Sequence, residues 1–168
     1  MVDKSLKDFA IGFETKGANL YLSLASKTTN ILGKRLFYSL AQQEIQHAAL
    51  FDTVEYKFLE KNKLKKVVED IESTLKEFWI HAKKTEIKKQ DPHFKGYELA
   101  IEMEKQSISA YQEFLLKTKD ENEKEFLTWI IEEEKKHLEA LQNVYYYLTE
   151  TEDWLQSEES KVWNWMNQ

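Results

Sequence analysis

An internal repeat at an offset of 90 residues limits the folds that this chain can adopt. Residues 10–21 read AIGFETKGANLY and residues 100–111 read AIEMEKQSISAY, so that Ala, Ile, Glu and Tyr recur in register. In the same way, LFYSLAQQEIQHAALFDTV at 36–54 aligns with FLTWIIEEEKKHLEALQNV at 126–144. Each repeat covers two helix-length segments, and the chain is therefore predicted to contain two copies of one helix pair.

The scarcity of chain breakers indicates long helices and few turns. Only four glycines and one proline occur in 168 residues, and no stretch alternates in the manner of a strand. The predicted helices run about 5–27, 34–60, 94–118 and 122–149, with the usual boundary error of a few residues. The connections within each pair are short, which favours antiparallel neighbours. The predicted fold is an all-α four-helix bundle that forms one domain over residues 1–149.

Two segments lie outside the repeat. The segment 61–93 between the helix pairs carries apolar side chains at helical spacing, which predicts an extra helix within a long crossover; these are Val67, Val68, Ile71, Leu75, Phe78 and Trp79. The Trp-rich extension 150–168 is predicted to form a short tail helix that packs on the bundle. A dimer contact, or a docking segment for a partner protein, are the alternatives for this tail.

Composition excludes several classes of protein. The chain has no cysteine, so disulfides, thiolate metal sites and iron–sulfur clusters are excluded. Its formal net charge of −6 disfavours nucleic acid as a partner. The apolar runs are too short to span a bilayer, and the N-terminal segment lacks the apolar region of a signal peptide. We therefore expect a cytoplasmic protein that binds neither nucleic acid nor membrane.

Ionisable residues interrupt the apolar stripe of every predicted bundle helix. The second and fourth helices each contain a Glu-x-x-His motif, and the first and third each contain a single Glu at matching positions. Side chains three residues apart lie on one face of a helix, so each Glu and His can converge on one point. The six candidates are Glu14, Glu44, His47, Glu104, Glu134 and His137.

Four carboxylates and two imidazoles in one core require compensation, because like charges repel strongly at low dielectric. Two divalent cations would balance the four carboxylates, and this ligand set suits iron or manganese. Single motifs of this length occur by chance, and neighbouring Glu98, Glu102 and Glu133 could compete for the same roles. The shared offset selects Glu104 and Glu134 over them. His81 and His93 have no Glu at motif spacing and are not predicted to bind metal.

On these motifs, residues 5–149 resemble the ferritin-like di-iron superfamily, and most closely the rubrerythrin family. The resemblance implies two iron ions, bridged by Glu44 and Glu134. It further implies that Glu14 acts with His47, and Glu104 with His137, as terminal ligands. Tyr21 and Tyr111, seven residues after the lone glutamates, match tyrosines that hydrogen-bond around the site in that family. Aromatic packing is the alternative role for both tyrosines.

The resemblance implies an oxidative-stress enzyme, a homodimer that reduces hydrogen peroxide or dioxygen. Two departures qualify this. Rubrerythrins commonly end in a rubredoxin domain with four cysteines, which this chain lacks, so electrons would come from a separate donor such as a rubredoxin-like protein. Ser107 occupies the position of an additional Glu in that family, and the six-ligand set resembles bacterioferritin equally well. Iron oxidation and sequestration, or a helical interaction module with a vestigial site, are therefore the alternative functions.

Overall fold

The computed structural model describes residues 4–53 and 94–149, which form four α-helices. We label these helices α1 (Lys4–Lys27), α2 (Ile31–Thr53), α3 (Phe94–Lys117) and α4 (Glu121–Thr149). The predicted all-α four-helix bundle is confirmed. The extra helix predicted in the crossover and the Trp-rich tail lie outside the described residues, and both stay predictions.

The helix starts are set by capping side chains. The Asn30 side-chain oxygen accepts a hydrogen bond from the backbone N–H of Gly33 at 3.2 Å, so α2 begins at Ile31. The sequence placed this start near residue 34, three residues late, because it treated the cap as part of the loop. The Asp120 carboxylate caps α4 in the same way, accepting hydrogen bonds from the N–H groups of Asn122 at 2.9 Å and Glu123 at 3.2 Å.

Neighbouring helices run antiparallel, as contacts between opposite helix ends demonstrate. Lys7 near the start of α1 forms an ion pair at 3.0 Å with Asp52 at the end of α2. Glu98 near the start of α3 accepts a hydrogen bond of 2.8 Å from the Tyr145 hydroxyl near the end of α4. The start of α3 also lies against the end of α1, where Gly96 approaches the Leu24 side chain. The end of α2 and the start of α3 therefore lie at opposite ends of the bundle, as a long crossover requires.

Two apolar clusters fill the bundle and leave a polar layer between them. The first cluster surrounds Tyr21, Phe37 and Leu141, at the end where α1 finishes. The second surrounds Phe51 and Phe126 at the opposite end. Gly33 permits close packing in the first cluster, because a Cβ atom at this position would overlap the Tyr97 hydroxyl. The predicted ligand residues occupy the layer between the two clusters.

Candidate metal centre

All six predicted ligand residues meet in the polar layer of the bundle. α1 and α3 each contribute one Glu, and α2 and α4 each contribute a Glu and a His one helical turn apart. None of the six is more than 2% exposed; they are Glu14, Glu44, His47, Glu104, Glu134 and His137. The competing carboxylates lie elsewhere, because Glu98 and Glu102 are on the exposed face of α3. Glu133 forms an ion pair with Lys136 at 2.8 Å.

The first half of the site is centred on His47. Its Nδ1 atom lies 3.1 Å from Glu134 Oε1 and 3.4 Å from Glu14 Oε2. The carboxylates come from α4 and α1, so three helices converge on one imidazole nitrogen. This grouping of Glu14 with His47 is the one that the family resemblance implies.

The second half is centred on His137 and repeats this arrangement. The Nδ1 atom of His137 lies 3.0 Å from Glu44 Oε1, 3.8 Å from Glu104 Oε1 and 4.0 Å from Glu134 Oε2. The two imidazole rings stack with their centroids 5.3 Å apart. In each half, therefore, one Nδ1 atom faces carboxylates that come from two other helices of the bundle.

The donor atoms are better arranged to bind a metal than to form hydrogen bonds with one another. One donor atom from each of Glu44, His47, Glu134 and His137 can be chosen so that all four lie within 4.8 Å of one another. Six buried carboxylate and Nδ1 atoms of these residues have no hydrogen-bond partner within residues 4–53 and 94–149; they are Glu14 Oε2, Glu44 Oε1, His47 Nδ1, Glu104 Oε2, Glu134 Oε1 and His137 Nδ1. Buried polar atoms left this way are rare in proteins, and cations would satisfy them.

Two buried tyrosines donate hydrogen bonds to the lone glutamates of α1 and α3, and each does so across the repeat. Tyr21 on α1 donates a hydrogen bond to Glu104 on α3. Tyr111 on α3 donates one to Glu14 on α1. Burial, followed by repulsion from the nearby carboxylates, raises the pKa of both phenols well above the ordinary value, so both hydroxyls stay protonated donors. Aromatic packing alone does not describe these two residues, because each hydroxyl contacts a predicted ligand.

Without a cation the carboxylates do not all ionise. Burial raises the pKa of Glu44 and Glu104 well above the ordinary range, and repulsion by Glu134 raises both further. Burial would also raise the pKa of Glu134, but its close contact with His47, and the charges that both imidazoles carry in acid, lower it to about 2. The metal-free site therefore keeps Glu134 ionised and favours the protonated forms of Glu44 and Glu104.

The two histidines have opposite preferences. Burial alone would lower the pKa of His47, but its contacts with Glu134 and Glu14 raise that pKa to about 10. Burial lowers the pKa of His137 to about 4, and attraction to Glu134 only partly opposes this. At neutral pH the metal-free site thus contains one imidazolium and one neutral imidazole.

The sequence interpretation missed two residues that touch the histidines. Gln43 is buried on α2, and its Oε1 atom lies 3.0 Å from Nε2 of His137. The half-buried indole of Trp129 meets the ring of His47 edge to face, with centroids 5.9 Å apart. The only available signal was position, since Gln43 lies next to Glu44 and Trp129 two turns before His137.

The positions three residues after the lone glutamates are small and buried. A Cβ atom at Gly17 would lie 3.0 Å from Glu44 Oε2, so this glycine leaves room for the carboxylate. Ser107, the matching residue in the second repeat, is 2% exposed, and its Oγ atom has no hydrogen-bond partner among the described residues. The place of an additional family Glu is thus taken by a small hydroxyl.

Comparisons with known proteins agree with this geometry. None of the helices in the part of the chain that the structure describes is long and apolar enough to cross a membrane. Searches of curated proteins and of solved structures found no match. A family model described as Rubrerythrin matches residues 8–145, which include both helix pairs and all six ligand candidates. The chain therefore belongs to the rubrerythrin family.

Proposed function

We propose that this protein is a di-iron oxidoreductase that reduces hydrogen peroxide or dioxygen with electrons from a separate donor. The observation that carries the proposal is the buried set of four carboxylates and two imidazoles, in which donor atoms of Glu44, His47, Glu134 and His137 lie within 4.8 Å of one another. Several ligand atoms of this set have no hydrogen-bond partner among the described residues. Membership of the rubrerythrin family supports iron as the metal. Manganese has similar ligand preferences and is the alternative metal.

The residues divide the work of holding two ions. Glu44 and Glu134 contribute donor atoms within 4.8 Å of each other and, as the family resemblance implies, would help to hold both ions. Glu14 and His47 would complete the coordination of one ion. Glu104 and His137 would complete the coordination of the other. When bound, a ferrous pair supplies two electrons to the O–O bond of the oxidant.

The protein itself orients the carboxylates, excludes water from the site and holds protons on two of the carboxyl groups. Tyr21 and Tyr111 fix the outer carboxylates through hydrogen bonds from buried hydroxyls. The apolar clusters above and below the layer exclude water, which strengthens every electrostatic interaction within it. The raised pKa values of Glu44 and Glu104 allow these carboxyls to hold protons at their oxygens until a cation replaces them.

The direct test is metal content after anaerobic loading with Fe(II) and desalting. We expect about two irons per chain, and loss of both in the Glu44→Ala/Glu134→Ala double variant. The matched control is Glu98→Ala/Glu102→Ala, which removes two exposed carboxylates and should retain the iron. Stopped-flow oxidation of the loaded protein by peroxide, compared with dioxygen, then identifies the oxidant. If the wild-type chain retains no metal, the proposal fails and a vestigial site becomes the better explanation.

Iron oxidation for storage is the second candidate, and Ser107 favours it. The buried serine provides no carboxylate where the family resemblance gives an additional ligand that is linked to iron movement during peroxide reduction. A storage function predicts that each chain oxidises many more than two irons and that the chains form a large cage. Repeated Fe(II) additions, with size measured by light scattering, discriminate between the two functions.

A further inference from the structure

The two halves of the metal centre have the same ligands but different supports behind the histidines. In both halves Nδ1 faces the carboxylates, so Nε2 is the nitrogen whose environment can differ. Nε2 of His137 lies 3.0 Å from the Gln43 side-chain oxygen. Nε2 of His47 is buried and has no hydrogen-bond partner among the described residues.

Gln43 is oriented for this contact. Its amide nitrogen lies 3.4 Å from the Ser39 hydroxyl one turn earlier on α2, which directs the amide oxygen toward His137. Only 1% of Gln43 is exposed, so solvent does not compete for the amide. An oxygen acceptor at Nε2 requires the proton there, and this tautomer leaves the lone pair of Nδ1 directed at the carboxylates.

The repeat offers no equivalent support for His47. The residue that matches Gln43 is Glu133, which pairs with Lys136 at 2.8 Å. The residue that matches Ser39 is Trp129, whose ring meets His47 edge to face. His137 thus has a polar side chain at its Nε2 atom. At the matching positions around His47 there is an aromatic ring and a glutamate that pairs with a lysine instead.

We propose that Gln43 is a positioning residue that makes the two metal positions unequal, so that the His137 half binds the first ion and the His47 half the second. This inference rests on the proposed metal site and adds an order of filling to it. A ligand whose tautomer is already fixed loses less freedom on binding, and loss of such a support reduces metal affinity by roughly 10- to 100-fold. Filling in two steps keeps a single ion from being shared between the halves.

The test is an anaerobic titration of the metal-free chain with Co(II), in which calorimetry and visible absorption measure the binding. Wild type should bind two Co(II) ions in separate steps. His47→Ala should keep the tighter step and His137→Ala should lose it. Gln43→Leu should weaken the tighter step by roughly 10- to 100-fold. Gln43→Glu restores an oxygen acceptor at Nε2 and should recover it.

Two controls separate positioning from general damage. Glu133→Leu removes the matching residue of the other repeat and should leave the tighter step unchanged. Nitrogen NMR of the metal-free protein reports the tautomer directly. His137 should carry its proton on Nε2 in wild type and a mixture of tautomers in Gln43→Leu. A packing defect would lower the melting temperature without restoring affinity in Gln43→Glu.

The outcomes distinguish this inference from the proposed function. Two Co(II) ions bound with one affinity, or a tighter step unaffected by Gln43→Leu, would overturn the unequal halves and leave the metal site intact. If His137→Ala keeps the tighter step, the assigned order is wrong. Absence of Co(II) binding to wild type would overturn the proposed function, and the inference with it.

Discussion

The first and second repeats contribute the same candidate ligands to the site and surround them with different side chains. Each provides one Glu from its first helix and a Glu-x-x-His motif from its second. The metal-free charge states nevertheless diverge, because His47 has a pKa of about 10 and His137 one of about 4. Repetition thus determines which atoms face the centre, whereas the neighbouring side chains determine how each half behaves.

The tyrosines are the exception to this divergence. Tyr21 and Tyr111 occupy matching positions, and each donates its hydrogen bond to the carboxylate of the other repeat. The support is therefore exchanged between α1 and α3, so neither repeat completes its own outer ligand. A single helix pair would therefore lack the tyrosine donor to its own lone glutamate.

The largest contrast is expected between isosteric changes in the two central carboxylates. Glu134 is ionised in the metal-free site and is the closer of the two carboxylates that contact His47, so Glu134→Gln breaks a buried ion pair. We expect the free energy of unfolding to fall by about 3 kcal/mol. Glu44 has a raised pKa and resembles Gln in its protonated form, so Glu44→Gln should change stability by less than about 1 kcal/mol. Urea denaturation of both metal-free variants measures this, and equal losses would contradict the assigned charge states.

The exchanged tyrosines should give a symmetric result. Tyr21→Phe and Tyr111→Phe each remove the donor to one buried carboxylate, which costs about 1–3 kcal/mol in stability. Because the two contacts match, the losses should agree closely in metal-free protein. Tyr38→Phe, at an exposed tyrosine of α2, is the matched control and should be neutral. Thermal unfolding measures all three, and a loss confined to one buried tyrosine would show that the repeats differ here too.

The small residues beside the site should differ in their effect on metal binding. Gly17→Ala places a Cβ atom 3.0 Å from Glu44 Oε2 and should displace that carboxylate, which lowers metal affinity by roughly tenfold. Ser107→Ala removes a hydroxyl that has no hydrogen-bond partner among the described residues, so stability should be unchanged or slightly higher. Co(II) titration and thermal unfolding measure the two effects. An unchanged affinity in Gly17→Ala would mean that Glu44 can shift without loss.

The smallest expected effect is a difference between the two halves in the pH dependence of metal binding. Metal ligands must be deprotonated, so a ligand whose pKa is raised in the metal-free protein releases its proton on binding, and affinity rises with pH until that pKa. His47 holds its proton up to about pH 10, whereas His137 is already neutral above about pH 4. Between pH 6 and 8, Co(II) affinity should therefore rise more steeply in His137→Ala than in His47→Ala. Calorimetry in buffers of different ionisation enthalpy counts the released protons, and equal slopes would contradict the difference.

Much of this molecule could be predicted from its sequence, because periodicity is a local property. The 90-residue offset and the spacing of three between Glu and His identified the four helices and the six side chains that the structure brings together. Their role as ligands stays a prediction until metal is measured. The start of α2 was missed by three residues because Asn30 looks like a loop residue until its cap is seen.

Tertiary structure alone decided the contacts between helices. Gln43 and Glu133 occupy matching positions, and the sequence gives no reason for only the first to contact a histidine on another helix. The exchange of tyrosines between repeats depends likewise on how α1 and α3 are rotated against each other. Sequence spacing places a side chain on a face of its own helix, but the packing of neighbouring helices determines what that face meets. The sequence by itself therefore determined the fold and the inventory of the site, and the packing of the bundle determined the difference between its halves.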